Sequence, residues 1–409
     1  MVWPDMSPRC PIPLPLDLAE RVAIVAPKPV LLSSFSSARR QPVRPIAHRD
    51  DGFDAKFDAD TLFFDAFFGA DGRIVLMGPP FLNLLPALQT MTLTAGPSRA
   101  PCQFEIRELD RHAQIHVRAP DGTTSLTLTA TFGTVEIAIS ASEIDLFAGR
   151  RVLFTLSRNN HLRWVKDWIR FARDIHGADA VLFYDNNSTH YTKADLADAI
   201  GSLDGLAVVR VIDWPFRYGP QGLDAWRFWD SDYCQHGAWE HARRRFLAAA
   251  RSAQNADVDE LVVPLTGSSV FEAAERDRFG ITRYCGRWVT GISDRPATER
   301  DERRHTDYGV VTRERMVRRY GLFQVDAERS PQKWTVVPSR CPDGAQWRAH
   351  SIAGWLPARR TTGAFSYRHF REINDSWKYD RVGTHTFDAT LHEEDTALKV
   401  LFERVRWDR

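Results

Sequence analysis

Between residues 151 and 213 the chain alternates short apolar runs with amphipathic stretches, and that alternation limits the fold more than any other feature. RVLFTL is followed by HLRWVKDWIRFARDIHG, then AVLFYD, a helical stretch over about 193–201, and LAVVRVID. Leu162, Val165, Trp168, Ile169, Ala172 and Ile175 recur at the spacing of one helical face. Asn159 or Asn160 is placed to cap the start of that helix, and Gly177 to end it. Strand, helix, strand, helix, strand at these intervals implies right-handed βαβ units and a mostly parallel sheet. Ligands of such sheets bind beyond the carboxyl ends of the strands. Asp185, Asn186, Asp213, Asp257 and Asp259 all fall at such ends.

The rest of the chain reads differently. Residues 1–50 are rich in Pro, Ser and Arg without periodicity and predict a loosely ordered arm. Residues 51–148 hold GRIVLMG, CQFEIREL, AQIHVRA, TTSLTLTATF and TVEIAIS, alternating pieces separated by turn signals such as Asp121-Gly122. They predict a small all-β accessory domain of sheet or sandwich type. An α/β domain over 150–390 and a C-terminal helix in 391–409 complete the division. At 409 residues the chain is too long for a single ordinary core. A formal charge of +1 excludes a partner held by a broad electrostatic field, nucleic acid above all. No apolar run approaches the ~20 residues that span a bilayer. Five cysteines without a CxxC pair predict neither a zinc site nor a disulfide framework, and so a reducing, cytoplasmic setting.

The stretch NADVDELVVP, 255–264, sets Asp257, Asp259 and Glu260 directly before the apolar run Leu261–Val263. In an extended segment Asp257 and Asp259 point the same way, roughly 7 Å apart, with Val258 turned into the core. Two carboxylates beside an apolar strand repel and are poorly solvated, and a divalent cation relieves both problems. Hard oxygen ligands suit Mg²⁺ or Mn²⁺. Glu260 alternates back, to cap or to pair with an Arg. The bare D-x-D pattern is equally the mark of a solvated acidic loop. Aromatic residues crowd the segment 213–239, and they suit either a core beneath a long loop or rings stacked on sugar faces.

An ordered set of motifs resembles glycosyltransferase family 92 and related capsular-type transferases with a GT-A fold. It comprises Arg158-Asn159-Asn160, Asp167-Trp168, Tyr184-Asp185-Asn186 with Ser188, then Gln235, Arg243 and Arg245 ahead of Asp257, Asp259 and Glu260. Lys333, His350, His369-Phe370-Arg371, Trp377-Lys378 and Arg381 follow. Asn160, Asp167 and Phe370 depart from the family's Glu, Glu and Tyr. The resemblance implies a GT-A-like, mostly parallel sheet with flanking helices. It also implies an inverting transfer from a nucleotide-sugar donor, UDP-sugar favoured, to a glycan or polysaccharide hydroxyl, at or near the inner face of a membrane. Arg158, Asn159, Asp185, Asn186, Ser188 and Gln235 then bind the donor's base or ribose, with Asp257 at the ribose or metal. Asp257, Asp259 and His350 hold Mn²⁺ or Mg²⁺, while Arg371, Lys378 and Arg381 hold the departing phosphates. Asp294 is the expected catalytic base, with Asp301, His305 and Asp326 as competitors. Two rivals use the same residues: a non-catalytic glycan-binding protein on a transferase scaffold, and a metal-dependent nucleotide phosphotransferase or hydrolase.

Overall fold

A computed structural model of the chain describes residues 18–293, 302–319, 323–373 and 386–408. Its main element is an eleven-stranded sheet flanked by helices. Five strands at one side run parallel, in the spatial order Val22–Val25, Val208–Asp213, Ala180–Asp185, Arg151–Ser157 and Ser252–Asn255. The sheet then turns mixed. Arg329–Val336 lies antiparallel to Ser252–Asn255 and to Ile281–Val289. Phe365–Phe370 runs parallel to Ile281–Val289 and antiparallel to Glu260–Pro264.

The three central parallel strands, Arg151–Ser157, Ala180–Asp185 and Val208–Asp213, read as largely apolar runs because both their faces are covered. Side chains alternate along each strand: Val181 and Phe183 enter one core, while Ala180, Leu182 and Tyr184 enter another. On the first face lies the helix Leu162–Phe171, whose Trp164, Val165, Trp168 and Ile169 are buried. Burying each large apolar side chain contributes about 1.5–3 kcal/mol. The helix starts at Leu162 behind His161, whose side chain makes no cap bond, so neither Asn159 nor Asn160 caps it. The Asn159 carboxamide oxygen instead accepts from the Thr189 N–H at 2.6 Å. Gly177 does end the helical stretch, in the left-handed conformation at φ 76°.

Phe64, Phe67, Val75 and Met77 of the β region pack into the second core beside Trp239 and Phe154. The β region contains two four-stranded antiparallel sheets, with a core of its own formed by Leu62, Ile74, Ile115, Leu126 and their neighbours. Its hairpin Gln103–Leu109/His112–Arg118 pairs Leu109 with His112, leaving Asp110 and Arg111 as a two-residue turn. The loose arm expected over residues 1–50 is described here from residue 18. From residue 18 onward it is docked, because Val22–Val25 adds a parallel strand to the large sheet and Arg44 forms a buried two-pronged bond to Asp230 at 2.6 and 2.9 Å. Among the described residues no helix is long and apolar enough to cross a membrane.

Candidate functional site

The Arg151–Ser157 strand has the Ala180–Asp185 strand on one side and Ser252–Asn255 on the other, so the strand order reverses there. A parallel sheet opens a crevice at that point, because the connections leave in opposite directions. A cavity of about 640 Å³ lies there, lined by Ser157 and Arg158 at one strand end and by Asp257, Val258 and Asp259 beyond the other.

The acidic stretch is a turn, not the extended segment its alternation predicts. The Glu260 N–H donates to the Asp257 carbonyl at 3.0 Å, and the Asp257 N–H donates back to Glu260 Oε2 at 2.9 Å. Asp257 and Asp259 are therefore presented by turn geometry, and the strand begins only at Glu260. Buried Lys333, on the strand Arg329–Val336 beside Ser252–Asn255, donates to Asp257 Oδ2 at 2.7 Å and sits 3.0 Å from Glu260 Oε2. Burial opposes its charge, but the two carboxylates outweigh that and raise its pKa. Asp257, expected as a metal ligand, is thus held by an ammonium.

Strand register completes the site. Glu260 stands opposite His369 in the antiparallel pair. His369 Nε2 lies 3.0 Å from Asp259 Oδ2, and its Nδ1 lies 3.8 Å from Glu260 Oε1. Asp259, Glu260 and His369 each offer one ligand atom, all within 4.8 Å of one another. Glu260 is fully buried, its Oε1 makes no hydrogen bond, and burial pushes its carboxyl up to about 7 against the pull of Lys333. The donor set fits a hard divalent cation: two carboxylate oxygens and one imidazole nitrogen, one of the oxygens buried without a hydrogen-bond donor. The charge fits as well. With a cation bound, Asp257, Asp259 and Glu260 would all be ionised against Lys333 and leave two negative charges, the complement of one divalent ion.

His350 lines the same cavity but lies outside this group, and its Nδ1 sits 3.2 Å from the Gln332 carbonyl. Desolvation and then the Lys333 ammonium push its pKa down. His369, not His350, stands with Asp259 and Glu260. Alternation along SYRHF was the available signal, since it puts His369 on one face of a strand, but only the register with Glu260 shows which face.

The expected donor residues divide. Arg158, Asn186 and Gln235 line the cavity. Asn186 spends its amide on the Trp214 and Phe216 carbonyls, each at 2.8 Å, and Gln235 accepts from the Tyr218 hydroxyl at 3.0 Å. Asp185 is buried beneath them, its carboxyl raised by burial, and it receives the Ser188 N–H at 3.2 Å. The Ser188 hydroxyl accepts from the Asn159 N–H at 2.8 Å. Asp185, Ser188 and Asn159 therefore shape the loop under the cavity. Arg371 lines a second, smaller cavity of about 290 Å³, with its guanidinium 5.1 Å from the Trp288 ring, which in turn stacks on His369 at 4.2 Å. His305 is buried against the Val258 carbonyl, and Asp326 accepts the Arg315 N–H in a surface hairpin. Asp294, Asp301, Lys378 and Arg381 lie outside the described residues.

The architecture, a large mixed sheet flanked by helices with smaller antiparallel sheets beside it, is consistent with a GT-A-like arrangement. With the carboxylate–imidazole cluster it is consistent with a metal-dependent enzyme. Compared with protein-family models and with curated proteins, the sequence matches neither.

Proposed function

We propose that the protein is a metal-dependent glycosyltransferase of the family 92 type, moving a sugar from a nucleotide-sugar donor, UDP-sugar favoured, to a glycan hydroxyl. The observation that carries this reading is the Asp259–Glu260–His369 cluster, of which Asp259 and His369 line a cavity at the point where the strand order of the sheet reverses. Asp259, Glu260 and His369 would hold Mn²⁺ or Mg²⁺, which supplies charge to offset that of the departing diphosphate. Lys333 holds Asp257 toward the cavity as an acceptor for a ribose hydroxyl, and Arg158 reaches the donor from the opposite strand end. The acceptor oxygen bonds to the anomeric carbon as the bond from that carbon to the diphosphate oxygen breaks. The nucleoside diphosphate leaves with the electron pair, and the hydroxyl proton passes to a cavity carboxylate.

Calorimetric titration of UDP and GDP, with and without Mn²⁺, tests this on wild type and Asp259→Ala. The expected result is metal-dependent binding of UDP that the variant loses. Absence of binding by either nucleotide with Mn²⁺ present would overturn the donor assignment.

A further inference from the structure

We propose that a second part of the same cavity wall, built by Trp226 and Trp229 together with the Asp110–Arg111 turn of the β region, is a binding surface for a neutral glycan. As an acceptor subsite it rests on the transferase reading above.

The aromatic segment separates into two populations. Trp214, Phe216, Tyr233 and Trp239 are buried in the cores, whereas Trp226 and Trp229 line the cavity and remain 58% and 52% exposed. Two large rings left in water beside a cavity mark a contact surface rather than a core. They are held in place. Their centroids are 5.8 Å apart with planes at 73°, and the Arg111 guanidinium lies 5.2 Å and 4.4 Å from the two rings. Asp232 fixes Arg111 at 2.8 Å. Arg111, Trp229 and Asp232 all adopt positive φ (62°, 53° and 62°), a conformation costing roughly 1–2 kcal/mol for residues with a Cβ. Three such residues in one wall are kept there by the contacts around them, and strain of this kind gathers where a shape is needed for binding.

The chemistry of the wall selects the ligand. Its charges are already matched: Arg111 with Asp232, and Arg348 with Asp110 at 3.3 Å. A phosphate or carboxylate ligand would have to break those pairs, whereas sugar hydroxyls can bond to them as they stand. Rings crossed at 73° cannot sandwich a flat base, but each offers an apolar face to the C–H side of a pyranose. The β region thus contributes directly to the cavity, through Asp110 and Arg111.

The test is a printed array of neutral and anionic oligosaccharides, probed without nucleotide by wild type, the Trp226→Ala/Trp229→Ala double variant, Trp229→Phe and Leu223→Ala. Leu223 is exposed at the start of the short helix Leu223–Phe228 that carries Trp226, and does not line the cavity. Wild type should retain neutral glycans, the double variant should bind them at least tenfold more weakly, and the Phe and Leu223 variants should keep most of the binding. Failure of wild type to retain any neutral glycan, retention of anionic glycans alone, or undiminished binding by the double variant would each overturn the proposal. Nucleotide is absent, so failure here leaves metal-dependent UDP binding standing, and the reverse holds too.

Discussion

Two glutamates, Glu240 and Glu260, are both buried, and they titrate in opposite directions. Glu240, on the helix Tyr233–His241, would be pushed up by burial, yet Arg243 and Arg244 hold it down to about 2. Gln114 of the β region and the Trp347 N–H also donate to it, at 3.1 and 2.7 Å. Both its oxygens are satisfied by protein. Glu260 has one oxygen committed to Lys333 and the Asp257 N–H and the other without a hydrogen bond, and burial raises it to about 7. A buried charge with every lone pair used ties two parts of a fold together. One left half-satisfied beside a cavity is waiting for something the chain does not supply.

The largest effect that would break this contrast is expected at Glu240. Glu240→Ala leaves the buried Arg243 without its carboxylate and Gln114 and the Trp347 N–H without their acceptor, and should cost about 3–5 kcal/mol in denaturant unfolding. A loss below about 1 kcal/mol would refute its structural role. Next comes acid stability. The folded value of about 2 lies below the ordinary 4.5, so folding favours the ionised form. Its contribution, roughly 3 kcal/mol, is complete above about pH 4.5 and disappears as the pH falls through about 2. Glu240→Gln should flatten that acid limb, and an unchanged limb would assign it to other carboxylates.

Lys333→Met sharpens the comparison from the other side. It removes the cation between Asp257 and Glu260, and about 2 kcal/mol of stability should be lost, of which excess Mn²⁺ restores part. Mn²⁺ should restore nothing in Glu240→Ala, and equal rescue of both would mean the ion acts elsewhere. The smallest change in stability belongs to Glu260→Gln, within about 1 kcal/mol of wild type, because the carboxyl is already half-neutral near pH 7. Its Mn²⁺ affinity by calorimetry should nevertheless fall at least tenfold. Undiminished affinity would remove Glu260 from the metal site.

The parallel half of the sheet was legible because βαβ units carry both their periodicities within about sixty residues of continuous chain. The location of the site was legible for the same reason, since Asp257 and Asp259 stand just past a strand end. The ligand set was not. Alternation predicted an Asp257–Asp259 pair, but the Asp257–Glu260 hydrogen bonds curl that stretch into a turn, and Lys333 claims Asp257. His369 comes to Asp259 and Glu260 only through an antiparallel register that no local pattern encodes. The docked N-terminal strand was missed because VAIV, four residues long and followed by Ala-Pro-Lys-Pro, has too little length to show a period.

That strand carries a consequence for how the chain is made. Val22–Val25 pairs with Val208–Asp213, so this strand must wait for its neighbour until most of the parallel sheet has been synthesised. Pairings this distant in sequence form late and slowly. The β region, whose strands pair within residues 61–138 apart from the short Val30–Leu31 strand, can fold in the interval. Val22–Val25 then closes the edge of the large sheet, covering backbone groups that an unfinished molecule would expose to its neighbours.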